Sequence, residues 1–251
     1  MLPEITWDTT YPIRKVIDPE KQKKEPNADG EFSEMTVIFD MDGILLDTEK
    51  VSRRSWKAQE QRFHIKNIDK VLEAVTGVNA NESRRVLLAT QGRDFPYEDF
   101  MRATHESFME IVSREGVPVK PYAKEILQNL KQAGAAAALA SSTDRQNVIW
   151  ELRDTGLLPW LDQLVCGDMI HASKPAPDIY LAACRMMYVR PENAYAVEDS
   201  YNGVRSASAA GMKVLMVPDL LPPTEEMRRL AAGIFPSLKE TWEYLKQKMN
   251  G

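Results

Sequence analysis

Cysteine is scarce, with 2 among 251 residues. Cys166 and Cys184 stand in neither a C-x-x-C nor a Cys/His metal spacing, which reads as free thiols in a reducing compartment and excludes a disulfide scaffold. His64, His105 and His171 are the whole histidine complement and are not spaced as a metal site, so they read as surface residues. Long apolar runs are also missing. The longest, Ala135 to Ala140, is 6 residues, against roughly 18 or more for a membrane-spanning helix, which excludes a membrane partner. The opening MLPEITWDTTYPIRKV has no apolar stretch of the kind a secretory signal needs, and the cytoplasm is the expected location. A basic excess is lacking as well. Lysine and arginine total 32 against 37 acidic residues, a formal charge of −5, which argues against a nucleic-acid partner. No internal repeat and no flavin, nicotinamide or P-loop signature is found.

What is present is a chain of soluble globular texture, 43% hydrophobic and 27% charged, with material for a sizeable core. Residues 1–34 carry Lys21, Lys23, Lys24, Pro26 and Gly30 in quick succession and read as a solvated extension. From Met35 the texture changes. Thr36-Val-Ile-Phe39 is β-branched and aromatic and runs into carboxylates and glycine, as a buried parallel strand does. Residues 49–118 hold helical stretches around 56–63, 71–75, 84–89 and 100–112 and no strand, which predicts a helical insert. A helix opened by Pro121 and stopped by Gly134 follows, then a strand at 135–140, assigned from context because alanine is a poor strand former. Strands at 163–166, 194–197 and 213–217 then alternate with helices at 144–153, 177–187 and 201–210. Ser237-Leu-Lys-Glu240 is a capping box opening a last helix whose Leu238, Trp242 and Leu245 form one apolar face. The expected fold is therefore α/β, a doubly wound, Rossmann-like parallel sheet built from 35–48 and 119–251, with a small α-helical insert at 49–118.

Ligands of open parallel sheets bind beyond the carboxyl ends of the strands. Those ends here are polar: Asp40-Met-Asp42-Gly43, Ser141-Ser-Thr143 and Glu198-Asp199-Ser200, with Lys174 in an intervening loop. Asp42-Gly43 alone is also ordinary turn chemistry, and an EF-hand loop would want Asp or Asn where Ile44 stands. The ordered set says more than any one part. Where the chain leaves the sheet, Asp40 and Asp42 can both face the cleft, one as nucleophile and one as general acid/base. Two carboxylates joined by Glu198 and Asp199 repel unless a cation sits among them, and an all-oxygen set fits Mg²⁺. Lys174 would neutralise a phosphate ester, Ser141 and nearby N–H groups would hold its oxygens, and Gly203 would permit close approach behind the acidic pair.

Phe39-Asp-Met-Asp-Gly-Ile-Leu-Leu-Asp-Thr-Glu49, Ala140-Ser-Ser142, Ser173-Lys-Pro-Ala-Pro-Asp-Ile-Tyr180 and Val197-Glu-Asp-Ser-Tyr-Asn-Gly203 resemble the ordered motifs of the haloacid dehalogenase superfamily. The resemblance implies that Asp40 is the nucleophile, Asp42 the general acid/base, Ser141 the phosphate-binding hydroxyl and Lys174 the charge-balancing lysine. It also implies a magnesium site of Asp40, the main-chain carbonyl of Asp42, Glu198 and Asp199; which of the last two is the direct ligand stays open. The helical insert is similar to the cap of the sugar-phosphate phosphatase and β-phosphoglucomutase subgroup. True dehalogenases lack the second aspartate, so Asp42 argues against dehalogenation. β-Phosphoglucomutase has histidine where this chain has Ser52 and a cap arginine soon after a Gly-Val pair, where this chain continues Gly77-Val-Asn79-Ala80. Net hydrolysis of a small phosphorylated metabolite, a sugar phosphate by this resemblance, is the expected activity. The alternatives are a phosphomutase and a non-catalytic regulatory binder. Thr48, Thr76, Gly77 and Asn79 are further substrate contacts or caps at the insert boundary.

Overall fold

The computed structural model describes residues 35–76 and 80–250. The basic run within 1–34, and Gly77 and Asn79, lie outside the described residues. The strands are β1 (Thr36–Phe39), β2 (Ala136–Ala140), β3 (Gln163–Val165), β4 (Ala194–Glu198), β5 (Lys213–Met216) and β6 (Gly233–Ile234). All pair in parallel in the order β3-β2-β1-β4-β5-β6. The helices are α1 (Thr48–Ala58), α2 (Ile68–Val75), α3 (Ala80–Gln91), α4 (Tyr97–Glu115), α5 (Ala123–Gln132), α6 (Arg145–Asp154), α7 (Asp178–Met186), α8 (Tyr201–Ala209), α9 (Glu225–Leu230) and α10 (Leu238–Met249).

The sheet is buried on both faces, and the strand period of two sorts its residues between them. Val37, Phe39, Ala137, Leu139, Tyr195, Val197 and Leu215 point into one core with α5, α6 and α10. Ile38, Ala136, Ala138, Ala140, Ala196, Val214 and Met216 point into the other with α7 and α8. The alanine strand follows from this arrangement. β2 is wholly buried between β1 and β3, and small side chains let α5 and α7 approach its two faces. Here tertiary packing overrides the weak strand propensity of alanine.

Helices α1 to α4 lie between β1 and α5 in the chain and enclose a cluster of their own: Trp56, Ile65, Ile68, Val71, Leu72, Leu87 and Phe100. Phe100 is its hub, fully buried with ring centroids 5.0, 5.4 and 5.5 Å from Trp56, Phe63 and Phe95. The two chain passages into and out of this segment cross side by side. Asp47 N–H donates to Pro118 O at 2.8 Å and Lys120 N–H to Leu45 O at 3.0 Å, flanking an antiparallel bridge between Leu46 and Val119.

Three local expectations change. The stretch expected as helix at 56–63 ends at Ala58, and the chain then turns through His64 and Asn67, both at positive φ (51° and 56°), to deliver Ile65 and Ile68 to the cluster. Neither α9 nor β6 was expected; β6 is two residues long and pairs only with β5, too short to leave a periodic signal. At the last helix Ser237 Oγ accepts from Lys239 N–H at 3.1 Å and donates to Glu240, a variant of the expected capping box.

Phe100→Ala should lower unfolding free energy by about 3–5 kcal/mol, since it opens a cavity at the centre of an aromatic cluster. Urea titration measures this, and a loss below about 1 kcal/mol would mean that the cluster is not close-packed.

Candidate active site

The sheet order reverses at β1, which has β2 on one side and β4 on the other, so a crevice opens beyond the carboxyl ends of β1 and β4. The register aligns Phe39 with Leu139 and with Val197. Asp40, the β2 terminus and Glu198 therefore leave the sheet together. Beyond Asp40 the chain turns tightly, with Leu45 and Leu46 N–H both donating to Met41 O at 2.9 Å and Gly43 at φ 83°. A Cβ on Gly43 would stand 2.3 Å from Asp199 Oδ2, so only glycine lets this turn and Asp199 sit together.

At the floor, Lys174 Nζ donates to Asp40 Oδ1 and Glu198 Oε1, each at 2.6 Å, and to Ala140 O at 3.1 Å. Burial opposes the lysine charge, but Asp40 and Glu198 outweigh it and hold the ammonium above the ordinary lysine range. Burial likewise pushes the Asp40 carboxyl up to about 8, against the pull of Lys174 and with Glu198 and Asp42 adding to the rise. Asp199 is raised strongly, first by burial and then by the charges of Glu198 and Asp40. Oxygens of Asp40, Glu198 and Asp199 lie within 4.8 Å of one another. Three carboxyl groups thus share one lysine, a donor set whose surplus negative charge fits a hard divalent cation.

The two acids after β4 differ in what they already hold. Glu198 is fully buried, with Oε1 accepting from Lys174 and from Tyr180 Oη at 2.6 Å, and Oε2 accepting from Asp199 N–H, Ser200 N–H and Ser200 Oγ at 3.2 to 3.4 Å. Gly203 makes the room for it, since a Cβ there would lie 2.0 Å from the Glu198 carboxyl. Asp199 is only half-buried and faces the cleft.

Asp42 also lines the cleft, accepting from the Thr48 hydroxyl at the start of α1 and from Thr143 Oγ1 at 3.1 Å. Ser141 stands differently from the expectation. It is fully buried, its Oγ accepts from Thr143 N–H at 3.1 Å, and the wall of the cleft is formed by Ser142 and Thr143. Being one residue past β2, it is still enclosed by the sheet end, and its N–H donates to Val165 O. The cleft is about 550 Å³ and runs from Asp40 between α1, α4 and α6, with Thr76, His105 and Phe108 among its lining.

This arrangement has counterparts. The haloacid dehalogenase-like hydrolase family matches residues 37–217. The chain belongs to that family. Protein CbbY of Cereibacter sphaeroides is 31% identical over 202 residues, covering 76% of this chain and 86% of the relative. A phosphorylated carbohydrates phosphatase of Thermotoga maritima is 30% identical over 177 residues, covering 70% and 82%. The crystal structure of CbbY from Rhodobacter sphaeroides in complex with phosphate superposes with a TM-score of 0.68, at 29% identity, covering 82% of this chain and 95% of that one.

Within this hydrolase the structure brings Asp40, Asp42, Lys174, Glu198 and Asp199 to one site. Thr48 and Thr76 line the cleft, and His105 lines it too, although sequence gave it no role. Tyr180 was quoted with the Lys174 loop but not assigned; its place one turn inside α7 is the signal, since that turn faces the strand ends. Thr143 stands in the polar strand end Ser141-Ser-Thr143 without a role of its own, and its partner Asp42 marks it. Glu151 gave no sequence signal at all. It is 5% exposed on α6, its Oε2 is sealed without a hydrogen-bond partner, and burial, with Asp42 and Asp144, pushes its carboxyl up to about 8.

Two outcomes follow from these environments. Lys174→Met should lower stability by about 3–5 kcal/mol at neutral pH, because it strands two buried carboxylates; an unshifted urea midpoint would show that the lysine does not hold the floor together. Glu151 has a folded value of about 8 against an ordinary 4.5. Its contribution to stability is therefore full below about 4.5 and is lost as pH rises towards 8, at about 1.4 kcal/mol per unit of separation. Glu151→Gln stays neutral and should lack that fall, so its melting temperature should gain on the parent between about pH 5 and about pH 9. Parallel pH profiles for the two proteins would show the carboxyl to be solvated.

Proposed function

We propose that this hydrolase is a magnesium-dependent phosphatase that cleaves a small phosphorylated metabolite, a sugar or polyol phosphate, through an aspartyl-phosphate on Asp40. The observation that carries this reading is the floor of the site, where Lys174 holds Asp40 in place while Asp199 supplies a further carboxyl within 4.8 Å. The aligned names support it: the Thermotoga maritima relative is a phosphatase of phosphorylated carbohydrates.

Asp40, the Asp42 carbonyl and Asp199 would hold Mg²⁺, and Glu198, whose oxygens already accept from five donors, would anchor Lys174 and the Asp199 backbone. When bound, the ion supplies positive charge that keeps Asp40 ionised and offsets the charge of the phosphoryl oxygens. Asp40 attacks phosphorus as the bond to the ester oxygen breaks, and Asp42 gives that oxygen its proton. Asp42 then takes a proton from the water that attacks the acyl phosphate, restoring Asp40 and releasing phosphate. Thr48 and Thr143 fix the Asp42 carboxyl for both transfers. Ser141, whose Oγ accepts from Thr143 N–H, would hold this loop from beneath so that Ser142 on the cleft wall meets the phosphoryl oxygens.

Residues 49–118 act as a cap in this reading. The paired crossings at Leu46 and Val119 are the natural hinge, and closure over the cleft excludes water and selects the substrate.

Asp40→Asn should reduce turnover by at least about a thousandfold while leaving the circular dichroism unchanged, since an amide is a poor nucleophile at phosphorus. Phosphate release over a panel of sugar and polyol phosphates is the measurement, with activity lost on chelation and restored by Mg²⁺. Near-full activity of the variant would overturn the assignment; an isomerised ester in place of free phosphate would make the protein a mutase.

A further inference from the structure

The cleft is lined by two acidic groups for which the phosphoryl chemistry has no use, Glu49 and Glu151, and of these Glu151 has a buried oxygen without a partner among the described residues. α6 begins at the phosphate-side loop, where Asp144 caps it by accepting from Asn147 N–H at 3.1 Å and from Asn147 Nδ2 at 2.6 Å. Its Val148 and Leu152 face the sheet core. Asn147 and Glu151, four residues apart and so stacked on one helix face, both line the cleft. Glu151 is 5% exposed, and its Oε2 has no hydrogen-bond partner among the described residues. Thr155 Oγ1 bonds the Glu151 backbone carbonyl at 2.8 Å, not the carboxyl. The charges acting on it, Asp42 and Asp144, are both negative. Buried side-chain oxygens are nearly always satisfied, so a sealed, unpaired carboxyl in the wall of a substrate cleft points to a partner carried by the ligand.

Its place indicates which part of the ligand. Glu151 lies six residues beyond Arg145, the first residue of α6, about 9 Å along the helix from the phosphate-side loop, and it lines the same cleft as Asp40 and Asp42. Set back from that loop, its carboxyl belongs to the stretch of wall that the carbon skeleton of a bound ester would meet, not to the phosphoryl group.

We propose that Glu151 is a specificity-determining residue whose carboxyl hydrogen-bonds a hydroxyl on the carbon skeleton of the ester, so that hydroxylated phosphates are selected over esters lacking that hydroxyl. The inference rests on the phosphatase reading above and narrows its substrate class. Burial supports it, since a carboxyl held neutral both donates and accepts, as a hydroxyl does. A site built to bond a hydroxyl discriminates strongly against an analogue without one, because its buried polar group is then left unpaired.

The test compares kcat/KM on sugar and polyol monophosphates of about three to six carbons with kcat/KM on phenyl phosphate, in the wild type, Glu151→Leu and Glu151→Gln. For the best polyol ester, Glu151→Leu should lower the ratio of the two values by about tenfold or more, chiefly through KM. Glu151→Gln, which still donates and accepts, should lower it by less than about threefold. Should Glu151→Leu not fold, Glu151→Asp withdraws the carboxyl by one methylene and carries the same ratio test. An unchanged ratio, with both esters unaffected or both falling in parallel, overturns the proposal and leaves the phosphatase reading standing. So does a wild-type preference for an amino-sugar phosphate over its hydroxyl counterpart. A wild type inert on every ester overturns the phosphatase reading, and this inference with it.

Discussion

A single buried ammonium organises this molecule. Lys174 reaches from the loop before α7 into the sheet terminus and binds Asp40 after β1, Glu198 at the end of β4 and the carbonyl of Ala140 at the end of β2. Three strand ends are thereby tied to one charge. Inside a protein such a contact is strong and equally costly to break, because each partner has surrendered its water. The lysine does not complete the balance, however. Asp199 adds a further carboxyl to the group, leaving an excess of negative charge that a cation would balance.

Small side chains make that crowding achievable. Gly43 and Gly203 leave the space that the carboxyl groups of Asp199 and Glu198 occupy, and a methyl group at either position would collide with an oxygen. The alanines of β2 serve the scaffold in the same way, letting helices close on both faces of the strand. The polar floor and the apolar sheet are thus two parts of one packing solution, with charge gathered at the edge where the strands end.

The helical segment over the cleft is linked to the chemistry through few atoms. Thr48, the first residue of α1, bonds Asp42, so the start of the inserted helices and the Asp42 carboxyl are set together. On the opposite wall, α6 presents Asn147 and Glu151 below the loop that holds Thr143. The core side of the cleft thus carries polar groups of its own beside those of the inserted helices.

Much of this was legible in the chain. Strand and helix alternation is a local periodicity, and it announced the parallel sheet; the carboxylates, lysine and glycines announced their placement because strand ends are the one part of such a fold open to ligand. Other features were invisible for physical reasons. The two-residue β6 has no period to detect, and the left-handed turns at His64 and Asn67 exist to aim Ile65 and Ile68 at a core that no local rule describes. Ser141 was named from its neighbours, but whether its side chain reaches the cleft wall depends on how the end of β2 is enclosed. Glu151 is the sharpest case: on the sequence it is one more acidic helix residue, ordinarily solvated. Sequence by itself determined the periodicities and the order of the chemical groups, because those are properties of neighbours along the chain. Only the tertiary structure decided which oxygens are buried, which are paired and which face the ligand, because desolvation and hydrogen bonding depend on groups brought together from distant parts of it.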